Sequence, residues 1–165
     1  MATNIAQLSD KVSMLKDRQK FHSLAAAPTS RALTISLLRT REHVMRPIRP
    51  LLAELGMTEQ KWRILRILAE TGPMDQTAIA RDACLLLSSV TRILKTMETD
   101  GHIQRVQSDD DRRAKIVQIT DEARDLIMRH RPASEAVYRK LSAELGDERL
   151  ELLLDLLEDV QAVDF

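Results

Sequence analysis

Along most of this chain apolar residues recur every three or four positions, but one stretch switches to every second position. Residues 102–107 (His-Ile-Gln-Arg-Val-Gln) and 114–119 (Ala-Lys-Ile-Val-Gln-Ile) alternate apolar and polar side chains. That is the period of a half-buried strand. The connection between them, Ser108-Asp109-Asp110-Asp111-Arg112-Arg113, is polar and suits a hairpin tip. Helical periodicity precedes the ribbon over residues 62–70, 76–83 and 87–100. The first helix opens at Thr58 with a capping-box-like Thr-Glu-Gln-Lys and stops at Thr71-Gly72-Pro73, and the third stops at Gly101. Helix, turn, helix and then a charged-tip ribbon is the order of a winged helix-turn-helix. That arrangement lays one helix in a major groove and brings ribbon arginines to a minor groove or to phosphates.

The flanks are helical. Residues 30–55 carry Leu33, Leu37, Leu38, Val44, Met45, Ile48, Leu51, Leu52 and Leu55 at helical spacing, with Pro47 and Pro50 expected to kink or interrupt the helix and Gly56 to end it. After the ribbon, Thr120 caps a helix from about residue 122. Pro132 is expected to interrupt it before it resumes over 133–145. Gly146-Asp147 introduces a last helix with a stripe of Leu150, Leu153, Leu154, Leu157, Val160 and Val163, wide enough for a partner helix. Residues 1–29 read as an arm and linker in which 8–24 can form an amphipathic helix. The predicted class is mostly α with a small β-wing, in three parts: the arm (1–29), a helical dimerisation region (30–56 with 121–165), and the winged helix-turn-helix (57–120).

Composition narrows this. Of 165 residues 44% are apolar but only 2% aromatic, which favours an aliphatic helical core over a sandwich or barrel. No apolar run approaches the roughly 18 residues that span a bilayer. The charged N-terminus is unlike a secretory signal, and the single Cys84 suits a reducing cytoplasm. The net charge is zero, yet the signs are segregated. Residues 31–66 hold eight bases against three acids, and residues 144–165 hold eight acids against one base. A basic footprint is a local property, so zero net charge does not exclude nucleic acid.

Candidate chemistry follows from these placements. Ser88, Ser89, Thr91, Arg92 and Lys95 lie on the third helix, with Val90, Ile93, Leu94 and Met97 as its buried side. Arginine can hold guanine bidentately, and hydroxyls can reach phosphates or base edges. At the ribbon tip Arg113 suits the minor groove, Arg112 a phosphate, and Asp111 can pair with an arginine to fix the tip. Arg41 falls on the apolar stripe of the first long helix. A buried guanidinium needs a carboxylate, supplied either by a bound effector or by a protein acid at a subunit interface. Trp62, Arg63 and Arg66 can add a stacking surface and further cations, with Trp62 also suited to the core. Cys84, among leucines, is expected to be packed and inert. The histidines at 22, 43, 102 and 130 have no ligand-like spacing, and no glycine-rich loop, nucleophile motif or paired carboxylates appear. The chain therefore reads as a non-enzyme with no metal or cofactor.

Two segments carry a resemblance. Asp111-Arg112-Arg113-Ala114-Lys115-Ile116-Val117-Gln118-Ile119-Thr120 is similar to the wing signature of the MarR family of bacterial transcriptional regulators. Residues 91–101 (Thr-Arg-Ile-Leu-Lys-Thr-Met-Glu-Thr-Asp-Gly) are similar to its recognition helix. The likeness covers residues 30–160. The chain departs from the pattern at Leu86-Leu87, where Ser-Pro is frequent, leaving Ser88 as the substitute cap, and at Ala123-Arg124, where Lys-Gly is usual. Arg39-Thr40-Arg41-Glu42, residues 60–68 and Ala83-Cys84-Leu85-Leu86 resemble the subgroup that represses operons for homoprotocatechuate and related aromatic-acid breakdown. The resemblance implies a homodimeric repressor on a pseudo-palindromic DNA operator, released by a small aromatic acid or its thioester. A helical protein–protein interaction module with a purely structural ribbon is the alternative reading from the residues alone.

Overall fold

The computed structural model describes residue 29 and residues 32–107 and 115–164. The helix expected over 8–24 and the ribbon tip, with Asp111, Arg112 and Arg113, lie outside the described residues. The chain divides into two units, residues 1–43 and 44–165.

The first described helix, α1 (Leu33–Met45), has no buried residue, and Leu33, Leu37 and Leu38 are exposed. The helix expected over 30–55, with an interruption at its prolines, is two helices. The chain turns at Arg46-Pro47 and restarts as α2 (Ile48–Glu54), because proline lacks the N–H that would continue the ladder. Pro50 is tolerated inside α2 because it sits in the first turn, where no N–H has a helical partner.

In the second unit α3 (Glu59–Thr71), α4 (Gln76–Asp82) and α5 (Leu87–Thr99) enclose the core with the ribbon β1 (Ile103–Gln107) and β2 (Lys115–Ile119). Ile64, Leu65, Leu68, Ile79, Val90, Leu94 and Met97 are fully buried. Each such side chain contributes about 1.5–3 kcal/mol by leaving water. Helix starts are fixed by side chains: Thr58 accepts from the Lys61 N–H at 3.2 Å, and Asp75 accepts from Thr77 and Ala78 at 2.7 and 2.9 Å.

The ribbon is antiparallel, pairing Ile103 with Ile119, Arg105 with Val117 and Gln107 with Lys115. Ile103, Val117 and Ile119 turn inward. Met74, in the α3–α4 connection, exchanges two backbone hydrogen bonds with Val117 (3.1 and 2.9 Å), so the base of the wing is stitched to the helix-turn-helix. Thr120 closes the ribbon. Its one hydroxyl proton is shared between the Gly101 and His102 carbonyls, 2.8 and 3.2 Å away, and its oxygen accepts from the Ala123 N–H at 3.3 Å.

The helix that follows, α6 (Asp121–Leu145), is continuous through Pro132, contrary to the expected interruption. Pro132, Arg131 and Met128 are all exposed, so water can take up the carbonyl that the missing N–H leaves unpaired. After Gly146, α7 (Asp147–Gln161) presents Leu152, Leu153, Leu154, Leu156 and Val160 to solvent and buries nothing in this chain.

Candidate nucleic-acid interface and an adjoining groove

Burying Val90, Leu94 and Met97 fixes the rotation of α5. At 100° per residue the opposite face consists of Ser88, Arg92, Lys95 and Thr99, all exposed. Of the five predicted residues, Ser88, Arg92 and Lys95 therefore share the outward face. Ser89 and Thr91 sit on opposite flanks. Ser89 is half-buried and lines a 290 Å³ cleft with Thr58, Lys61, Arg92 and Thr96 beside the start of α3. Thr91 faces α4.

Two ion pairs hold α5 in place. Lys61 meets Asp100 at 2.7 Å, and its hydrogen bond holds the Asp100 carboxyl below the usual carboxylate range. Arg105 on β1 meets Glu98 at 3.2 Å. The predicted cap at Ser88 is corrected. α5 begins after Leu86, with Leu87 as its first residue, and no side chain caps it. Its first N–H groups and the positive end of its dipole remain available to an anion.

The turn into α5 holds a second correction. Cys84 is exposed rather than packed. It has φ +50°, the left-handed position at the end of α4, where the Leu85 N–H closes back on the Ala80 carbonyl at 2.9 Å. Gly101 fills the same position after α5 (φ +74°), with the His102 N–H reaching the Met97 carbonyl at 2.9 Å. The one non-glycine in such a conformation among the described residues thus stands in the turn just before α5.

The predicted effector residues separate. Arg41 lies in the first unit, is exposed rather than buried, and pairs with its neighbour Glu42 at 2.8 Å. Arg63 points toward the helix-turn-helix, where its guanidinium donates to the Ala83 carbonyl at 2.6 Å. It is part of the turn and does not line the groove described next. Trp62 and Arg66 do come together. They line a groove of about 760 Å³ between α3 and α6, and Trp62 serves the core as well. The opposite wall is α6, with Arg124, Ile127, Met128, Arg131, Ser134, Glu135 and Tyr138. Arg66–Glu70 (2.8 Å) and Arg131–Glu135 (2.7 Å) are exposed i,i+4 pairs on its walls. The α6 wall was missed in the sequence, although its residues recur at three- and four-residue spacing and include the single tyrosine. Such a groove offers aromatic faces beside guanidinium groups, the combination that holds a ring and a carboxylate together. Among the described residues no cluster of His, Cys, Asp or Glu could hold a metal ion, and no helix is long and apolar enough to cross a membrane.

Comparison with known proteins agrees with this geometry. The MarR family pattern matches residues 57–115. The homoprotocatechuate degradative operon repressor of Escherichia coli is 39% identical over 132 residues, covering 80% of this chain and 89% of that protein. The HTH-type transcriptional regulator FarR of Neisseria gonorrhoeae is 33% identical over 133 residues, covering 81% and 91%. Among solved structures, NadR in complex with 4-hydroxyphenylacetate superposes with a TM-score of 0.76 at 32% identity, covering 84% of this chain and 99% of that one. A winged helix with an exposed polar α5 face, on a scaffold shared along most of its length with these regulators, places this chain in the MarR family of DNA-binding transcriptional regulators.

Proposed function

We propose that the chain acts as a homodimeric repressor that leaves its operator when a small aromatic carboxylic acid, or its thioester, occupies the groove between α3 and α6. The observation that carries this reading is the meeting of Trp62 and Tyr138 with Arg66 and Arg131 in one groove, next to a lobe whose α5 turns Ser88, Arg92 and Lys95 to solvent. Arg66 takes the carboxylate, the role first considered for Arg41, and the two aromatic side chains flank the ring. Arg92 contacts a base edge or phosphate, Lys95 a phosphate, and the wing-tip residues Arg112 and Arg113 the neighbouring backbone or minor groove. The NadR complex with 4-hydroxyphenylacetate and the homoprotocatechuate operon repressor support an aromatic acid as the effector class. The exposed leucine face of α7 supports pairing of two copies.

Ligand and DNA are linked through differential binding. Tenfold relief of operator affinity requires the ligand to favour the DNA-incompetent arrangement by about 1.4 kcal/mol. The test is anisotropy titration of DNA from upstream of the chain's own gene, with and without 4-hydroxyphenylacetate. Arg92→Ala should weaken operator binding by about 1–3 kcal/mol in a folded protein. Arg66→Ala should bind DNA normally yet lose the response to the acid. Wild-type operator affinity in Arg92→Ala would overturn the docking, and an intact response in Arg66→Ala would overturn the assignment of the groove.

A further inference from the structure

Thr91 looks like a reader of DNA, but its hydroxyl is already committed. A threonine hydroxyl has one proton, and here it goes to the Leu87 carbonyl at 3.0 Å. The same oxygen then accepts from the side-chain amide Nε2 of Gln76, the first residue of α4. With the only proton spent on a carbonyl, Thr91 can turn nothing but an acceptor toward Gln76. The Gln76 amide must therefore present its nitrogen to Thr91. This leaves Thr91 unable to donate to a phosphate oxygen or to the guanine acceptors. It leaves Gln76 with a second N–H and its carbonyl oxygen.

The backbone of Gln76 is anchored on its N-terminal side. Immediately before it, Asp75 caps α4 through the Thr77 and Ala78 N–H groups, which hold its carboxyl below the usual range. Two residues before it, Met74 is stitched to Val117 of the wing by two backbone hydrogen bonds. The Thr91 flank of α5 lies about 90° from the outward face of Ser88, Arg92, Lys95 and Thr99. With that face in a major groove, this flank meets the groove wall, which is sugar and phosphate, and not the base edges.

We propose that Gln76 is a positioning residue for operator binding. Buttressed by Thr91, its free amide N–H donates to one backbone phosphate and fixes the register of α5 in the groove. Thr91 acts through Gln76 and makes no direct base contact. The inference rests on the reading of α5 as the recognition helix.

The experiment uses the full-length dimer and operator duplexes in which single phosphates are replaced in turn by uncharged methylphosphonates. Wild type should lose affinity about tenfold at one phosphate that Gln76 engages, the size of one hydrogen bond to a charged acceptor. Gln76→Ala should bind the unmodified operator about tenfold more weakly and become indifferent to that one substitution, while staying sensitive to the others. Thr91→Val should behave like Gln76→Ala, Thr91→Ser like wild type, and the double variant no worse than either single one. If Gln76→Ala keeps wild-type sensitivity at every phosphate, the residue is only structural and the proposal fails. It fails equally if Gln76→Ala binds as wild type does, or if Thr91→Val changes preference at a single base pair. Absence of salt-dependent operator binding in wild type would instead sink the underlying reading of α5.

Discussion

Replacing Arg63 by methionine tests the separation of the two arginines on α3. The Ala83 residue is fully buried and its carbonyl accepts from the Arg63 guanidinium at 2.6 Å, so methionine keeps much of the side-chain volume but leaves that oxygen without its donor. A hydrogen bond to a charged donor contributes about 1.5–3 kcal/mol net. Arg63 is itself part-exposed, and water can recover some of this, which points to the lower end, about 1.5–2 kcal/mol. In a chain of this size each kcal/mol lowers the melting temperature by about 2–4 °C, so a fall of roughly 5 °C is expected. Ala83 and Cys84 lead directly into α5, so operator affinity should fall with stability. Affinity for 4-hydroxyphenylacetate should stay within about twofold, because Arg63 does not line the groove of Trp62 and Arg66. Lysine at 63 keeps one donor and should recover part of the lost stability. Thermal melting and calorimetric titration on the same samples separate the two effects. A methionine variant that melts like wild type but no longer binds the acid would refute the reasoning and return Arg63 to the ligand site.

Two further outcomes follow from the same structure. Asp75→Ala should cost about 1 kcal/mol at neutral pH through loss of the α4 cap. Two backbone N–H groups favour the charged carboxylate, so its folded pKa lies below 3.8. The contribution is therefore complete above the unfolded value and is lost only as pH falls through the folded one. Urea titrations of both proteins should show the gap narrowing below pH 3.8, and a gap that persists unchanged in acid would sink the attribution. On α7, the double substitution Leu153→Glu with Leu156→Glu changes side chains already exposed in the single chain, so it should leave the helix folded. It should weaken dimerisation by about a hundredfold or more, judged from the apolar burial of a leucine pair in each copy. An unchanged dimer in sedimentation equilibrium would remove α7 from the interface.

The lobe was legible wherever periodicity and punctuation agreed. Val90, Leu94 and Met97 at helical spacing before Gly101 placed α5, and the alternation in 102–107 and 114–119 placed both strands to within a residue. Pro47 interrupts its helix as its position foretold, whereas Pro132 does not divide α6. Residue type alone therefore does not decide where a helix breaks. Arg41 and Arg63 lie apart from the Trp62 and Arg66 groove for a related reason. Helical spacing tells which side chains share a face, but it does not tell what that face meets. Arg41 lies on a helix with no fully buried residue and pairs with its neighbour Glu42. Arg63 follows Trp62 in sequence yet turns to a carbonyl 20 residues away. Gln76 escaped notice because its significance depends on how one hydroxyl proton on another helix is spent, which no pattern along a chain encodes.

Thr120 also sets the mechanics of the second unit. One side chain joins the end of α5, the start of β1 and the first turn of α6. It stands at the junction of a long arm and a short one. The long arm is α6, 25 residues or about 37 Å, whose stretch from Arg124 to Tyr138 forms one wall of the groove. The short arm is α5, which reaches Ser88 about 20 Å from the same point. If the two arms turn together, a tilt of roughly 3° about Thr120 swings the far end of α6 by about 2 Å and Ser88 by about 1 Å. A displacement of about 1 Å exceeds the tolerance of a hydrogen bond. Under the proposed function, a ligand that wedges α3 and α6 slightly apart would need no flexible linker and no unfolding to shift α5 against DNA.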